Sequence, residues 1–170
     1  MESRAAEKRL IVVRVIVTAA FLACVLFIWH NSMENAEVSA GRSGRVTEVV
    51  NEVLDSMGRE PVTEHFVRKS AHFSEYALEG VLTVLLFVVY YLKPAKSMWA
   101  SALTGLVTAT VDESIQFFSA GRAPGFLDVC IDMAGFICGM LFMFAVCRLI
   151  GKAPWKRWTK NRNRRKKSVR

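Results

Sequence analysis

The chain lacks the short signatures that announce common chemistries. It has no Gly-x-Ser-x-Gly, no His-Glu-x-x-His and no phosphate-binding glycine loop, so neither a nucleophile nor a reaction type is written in its motifs. Its four cysteines, Cys24, Cys130, Cys138 and Cys147, form no Cys-x-x-Cys and pair with no histidine. All four fall inside apolar stretches, where a thiol behaves as a small hydrophobe; this excludes a disulfide scaffold. No internal repeat is present, so a transporter built on repeat symmetry would have to be an oligomer.

What is there is apolar sequence in blocks. Of 170 residues, 52% are hydrophobic, mean hydropathy is +0.27 and net charge is +8. The apolar residues gather in four runs of membrane-spanning length, at about 10–29, 71–92, 98–118 and 126–150. A disordered chain and an ordinary soluble enzyme are excluded, and the length leaves room for one domain. The first run follows Arg4, Lys8 and Arg9 as a signal peptide would. It is too long for one, however, contains Arg14, and ends at Trp29-His30-Asn31, a poor cleavage site. It reads as a retained helix, with Arg14 reaching back to the cytoplasmic surface.

Charge sets the orientation. Seventeen of the 23 Lys and Arg lie in the N-terminal arm, in the turn at 93–97 and from Arg148 onward. The other six are Arg42, Arg45, Arg59, Arg68, Lys69 and Arg122, and 13 of the 15 acids lie with them. The positive-inside rule then puts both termini in the cytoplasm, with 30–70 and 119–125 outside. The fold class is thus an all-α integral membrane bundle of four transmembrane helices, comprising residues 1–150, with a basic cytoplasmic tail at 151–170. That tail carries Trp155 and Trp158 among its cations and reads as a contact for anionic inner-leaflet lipid, not for nucleic acid.

Between the first two spans, Val46, Val49, Val50, Val53, Leu54 and Met57 recur at helical spacing, opposite Glu48, Asn51, Glu52 and Asp55. An amphipathic extracytoplasmic helix capped by Thr47 is expected there, after a flexible lead-in at Gly41, Ser43 and Gly44. Thr63 is positioned to cap the helix that follows.

The polar content of the later spans points to a site. His72, Glu75, Tyr76 and Glu79 share a broad helical face with Arg68 and Lys69. Asp112 and Gln116 are one turn apart, with Glu113 beside them; Asp128 and Asp132 are one turn apart on the last span; Arg122 lies in the turn between. Glu79, Asp112 and Asp132 each fall roughly 9–12 Å below the outer boundary at about 1.5 Å per residue. A carboxylate at mid-membrane costs about 2.5–3.5 kcal/mol on insertion scales, so three helices bearing that cost at one depth imply a shared cavity. Six acids would face three fixed cations and one histidine there, and the excess must be protonated, solvated or matched by a bound cation. The i, i+3 spacing of His72 and Glu75 suits either a proton relay or two ligands of a metal, with Asp112, Glu113 or Asp128 as partners. The pattern specifies neither a metal nor a cofactor. Gly135-x-x-x-Gly139 reads as a close-packing motif, and Gln116 and Tyr76 as polar glue.

These residues carry a resemblance. Arg68-Lys69-x-x-His72-Phe73-x-Glu75-Tyr76, Asp112-Glu113-x-x-Gln116-Phe117, Gly121-Arg122 with Asp128 six residues on, and then Gly135 and Gly139 are similar to the VanZ-like family of bacterial membrane proteins. The likeness runs from the first span to the fourth. It departs at Asp132, where the family pattern has Asn, and so adds a negative charge to the cavity. The resemblance implies a multi-pass protein of the bacterial cytoplasmic membrane and cell envelope, in a family whose namesake is linked to teicoplanin resistance. Two functions follow as expectations. One is an enzyme acting on a lipid-linked or wall-precursor amphiphile, with His72, Glu75, Asp112 and Glu113 as catalytic groups and Arg68, Lys69, Gln116, Arg122, Asp128 and Asp132 binding the substrate. The other is a non-enzymatic binder of an antibiotic, a lipid headgroup or a protein partner.

Overall fold

The computed structural model describes residues 2–90, 94–122 and 125–150. They form five helices and no strand: α1 Glu2–Met33, α2 Ala36–Ser56, α3 Glu64–Val89, α4 Pro94–Phe118 and α5 Phe126–Ile150. The expected basic turn around Lys93 and the tail at 151–170 lie outside the described residues.

Among the described residues, three helices are long and apolar enough to cross a membrane: Glu7–Met33, Glu64–Val89 and Phe126–Leu149. Helix α4 is as long, at 25 residues, but threonines, serines and Asp112-Glu113 dilute its apolar content. The bundle is inverted relative to a soluble protein. Leu22, Leu26, Phe27, Leu103, Leu141 and Phe142 point outward, while Ser32, Glu79, Thr83, Ser101, Asp112 and Asp132 are among the most enclosed side chains. Lipid would solvate the former, whereas the latter must find partners inside.

Helix α3 is central and touches each of the other four helices, α5 most extensively. Glycine makes that crossing close. A Cβ on Gly135 would strike the Phe73 carbonyl, and one on Gly139 the Ala77 carbonyl; reciprocally, one on Gly80 would strike the α5 backbone at Phe136. Two backbones therefore lie in direct contact, as expected for a small-x-x-x-small motif. The enclosed Phe136 ring lies over Gly105 of α4, where a side chain would collide with it. Phe136 thus bridges α3 and α4 while the glycines around it accommodate its bulk.

Helix boundaries follow local chemistry. Thr63 caps α3 as expected, its side chain accepting from the Phe66 N–H at 3.2 Å. Helix α3 therefore starts seven residues before its apolar run and brings Arg68 and Lys69 onto the same rod as His72 and Glu75. Pro94 opens α4 four residues before the expected start at 98, in the first helical position, where a missing N–H costs nothing. Helix α4 ends at Phe118, as expected, and Gly121 (φ 75°) turns the chain beyond it. At the opposite end of the bundle the Arg14 guanidinium donates to the Val89 carbonyl at 3.0 Å and lies over the Tyr90 ring. It is held at the last turn of α3, where cations are favourable.

The helix between the first two long ones requires a correction. It begins at Ala36, capped by Asn35, whose side chain accepts from the Val38 N–H at 2.9 Å. Gly41, Ser43 and Gly44 are helical, not a flexible lead-in, and Thr47 turns its hydroxyl back to the Ser43 carbonyl instead of capping. Asn35 stands one residue before the new helix and supplies a cap that the weaker Thr47 signal masked. Helix α2 ends where expected: Gly58 adopts φ 64°. Asn51 then clamps the following strap, donating to the Val62 carbonyl at 3.1 Å and accepting from its N–H at 2.8 Å. Val46, Val49, Val53 and Met57 remain exposed along one stripe of α2.

Candidate functional site

Apart from Glu79, which lies past the middle of α3, the charged residues singled out on the later spans lie toward the end of the bundle opposite Arg14. At its centre are His72 of α3, Asp112 of α4 and Asp132 of α5, with one donor atom from each within 4.8 Å of the others. His72 Nδ1 stands 3.7 Å from Asp132 Oδ1. Asp112 is fully enclosed and Asp132 is 1% exposed, whereas the His72 side chain keeps 20% of its surface open. The imidazole is therefore the exposed edge of an otherwise enclosed trio.

The helix register explains why these three meet. His72 lies one residue before Phe73, whose backbone rests on Gly135, three residues after Asp132. The glycine contact that draws α3 onto α5 therefore also brings His72 to Asp132. Asp112 comes from α4, which contacts both α3 and α5. Gln116, one turn on, donates to Asp112 Oδ2 at 3.0 Å and so holds that carboxylate.

The remaining charged residues surround this trio in defined pairs. Lys69 donates to Asp128 at 2.7 Å in a partly exposed ion pair. Glu75 accepts from the Asn31 side chain at 3.1 Å, so the partner set against His72 is Asp132 rather than Glu75. Glu113 accepts from the Gly125 N–H at 3.1 Å, which ties the turn between α4 and α5 to α4. Arg122 donates to the Glu34 and Asn31 carbonyls, each at 3.2 Å, satisfying the end of α1. Burial and then the neighbouring Arg68 lower the Arg122 pKa, but a guanidinium this basic keeps its charge. Arg68 itself makes no hydrogen bond or ion pair among the described residues.

All of these acids but Glu79 thus gather in one cluster, and a lateral groove opens beside it at Glu113. About 370 Å³ lies between α4 and α5, lined by Thr110, Glu113, Ser114, Phe117, Phe118 and Val129. Phe117 and Phe118 are exposed at its rim. Glu79 lies away from this groove on α3, fully buried beside the Thr108 hydroxyl of α4.

The first helix contributes more than the sequence pattern indicated. Asn31 links Glu75 to Arg42 of α2, since it also accepts from the Arg42 guanidinium at 3.1 Å. Ser32 is fully buried and its carbonyl accepts from Ser119 at 2.8 Å. Arg42 forms an ion pair with Glu34. The available signal was the polar pair Asn31-Ser32 closing an apolar run, which reads more readily as an ordinary span end. Tyr76, expected only as glue, is fully buried with no partner for its hydroxyl.

No curated protein and no solved structure matches the chain. The family model described as VanZ/LLP1 matches residues 16–148, a stretch containing most of α1 and nearly all of α2 to α5, including every residue of the cluster. That extent settles the membership: the chain belongs to the VanZ/LLP1 family.

Proposed function

We propose that the chain is a four-span protein of the bacterial cytoplasmic membrane, with both termini in the cytoplasm and the His72–Asp112–Asp132 cluster facing outward. There it contributes to tolerance of teicoplanin-type glycopeptides by acting on a lipid-linked or wall-precursor amphiphile. The observation that carries this reading is the meeting of titratable groups from α3, α4 and α5 within 4.8 Å. Ionisable groups enclosed on membrane helices are costly, and they mark functional sites more often than structural supports.

Three further features fit the reading. Helix α4 is as long as the apolar helices, and as a span it would carry the chain outward to the 119–125 turn, so that α5 returns it to the side that Lys and Arg assign to the cytoplasm. The groove between α4 and α5 opens sideways with Glu113 in its wall, so an amphiphile could reach the cluster from the bilayer. Arg68, free of any ion pair among the described residues, is the side chain suited to an anionic headgroup. In α2, the exposed Val46, Val49, Val53 and Met57 would rest on the outer leaflet.

A second reading, a binder without catalysis, is favoured by the state of the hydroxyls. Ser74, Ser114 and Ser119 each donate to a helix carbonyl, at 2.8, 2.7 and 2.8 Å, so none of these three is poised as a nucleophile, and the Ser32 hydroxyl beside Asp112 is fully buried. Both readings need the same cluster. Alanine at Arg68, His72, Asp112 or Asp132 is expected to abolish glycopeptide tolerance at unchanged membrane abundance. Lys69→Ala and Asp128→Ala combined should lose less stability than the two singles summed, by up to about 1 kcal/mol, because they share one partly exposed ion pair. Wild-type tolerance in all four alanine variants would remove the cluster from the function.

A further inference from the structure

We infer that His72, Asp112 and Asp132 form a binding site for a single divalent transition-metal ion. One donor atom from each lies within 4.8 Å of the other two, and each comes from a different helix. Donors at 2.0–2.2 Å from a shared ion stand roughly 3–4 Å apart, so the trio needs only a small contraction to close on a metal. His72 Nδ1 and Asp132 Oδ1, at 3.7 Å, already fall in that range and are too far apart for a hydrogen bond.

The unpaired atoms point the same way. Asp112 Oδ1 and Asp132 Oδ2 meet no donor in good hydrogen-bond geometry, the Ser32 hydroxyl and the Gln116 amide being the donors beside Asp112, although both side chains are fully enclosed or nearly so. The fully buried Tyr76, one turn along α3 from His72 and within electrostatic reach of both aspartates, also has an unpartnered hydroxyl. Native interiors rarely leave so many polar groups unpaired in one place. A dication with a neutral imidazole balances both carboxylates, and water on its open positions would give Tyr76 a partner. One imidazole and two carboxylates favour a first-row ion such as Zn²⁺, Mn²⁺ or Fe²⁺ over the all-oxygen sites of Mg²⁺ and Ca²⁺. Three protein ligands leave positions open for water or an anionic ligand.

The site is tested on the full-length chain without a polyhistidine tag, purified in detergent, stripped with a chelator and titrated with Co²⁺. The expected result is about one Co²⁺ per chain, with visible bands more intense than those of the aqueous ion, and a rise in Tm when Zn²⁺ is added. His72→Ala, Asp112→Asn and Asp132→Asn should each weaken binding by more than about tenfold, a loss that removal of even an outer partner of a ligand commonly causes. His65→Ala, on the exposed first turn of α3, should bind as wild type does. Helical circular dichroism and elution volume identify any variant that has failed to fold. Should all three fail, the wild-type spectrum decides: an unchanged aqueous Co²⁺ spectrum overturns the site. Wild-type affinity in a folded ligand variant, or an equal loss in His65→Ala, would also overturn it. Binding is read on purified protein, so this outcome is independent of whether the cluster serves glycopeptide tolerance.

Discussion

Gly139→Ala, the smallest possible enlargement, is expected to destabilise the bundle severely. The added methyl would collide with the Ala77 carbonyl on α3, which is backbone and cannot rotate away as a flexible side chain would. The helices must separate, and the same crossing carries Gly135 against Phe73 and Gly80 against Phe136. Overpacking an ordinary core costs about 1–3 kcal/mol; here the cost should exceed that range, because relaxation moves a whole interface. Loss of monodisperse protein, or a large fall in Tm in detergent, is the expected result. Gly44→Ala supplies the contrast. Its Cβ would meet open space within α2, so replacement should stabilise by roughly 0.5–1 kcal/mol through helix propensity. Wild-type stability in Gly139→Ala would contradict the close α3–α5 contact and, with it, the register that brings His72 to Asp132.

His72→Gln is expected to be as inactive as His72→Ala. Glutamine keeps a polar side chain of similar reach, so a site needing only a hydrogen-bond donor would retain much of its function. It cannot exchange a proton near neutrality, nor replace an imidazole nitrogen as a metal ligand. Because His72 lies against two enclosed aspartates, both of those capacities bear on the cluster. Glycopeptide tolerance measured at matched expression decides the matter: complete loss in both variants assigns His72 proton exchange or metal ligation, while full tolerance in His72→Gln leaves the hydrogen-bonding, binding role standing.

Sequence patterns revealed the elements of this molecule better than their pairings. Apolar runs placed α1, α3, α4 and α5, because uninterrupted stretches of about 20 mostly apolar residues arise under few constraints other than a long enclosed or membrane-crossing helix. Rare charges at helical spacing marked His72, Asp112 and Asp132, since such residues are costly in lipid wherever they stand. Pairing needed the crossing geometry. The spacing of His72 and Glu75 suggested that they act together, yet Asn31 of α1 holds Glu75 and the α3–α5 glycine contact gives His72 to Asp132. Nothing local to residues 68–79 carries that information. The α2 start was missed for another reason: glycines at 41 and 44 suggest flexibility, whereas capping by Asn35 and the Asn51–Val62 clamp hold the segment helical. Tertiary context overrode weak propensity there.

The central claim, that the charged cluster faces outward, is tested most directly by cysteine labelling in intact cells. The four native cysteines, all free thiols, are first replaced. Single substitutions Arg45→Cys and Ala120→Cys, at exposed positions on the cluster side, are then compared with Lys96→Cys and Lys160→Cys. A membrane-impermeant maleimide should label the first two in intact cells and the second two only after permeabilisation. Labelling at 160 but not at 45 or 120 in intact cells would reverse the protein in the membrane, turn His72, Asp112 and Asp132 toward the cytoplasm, and contradict the account.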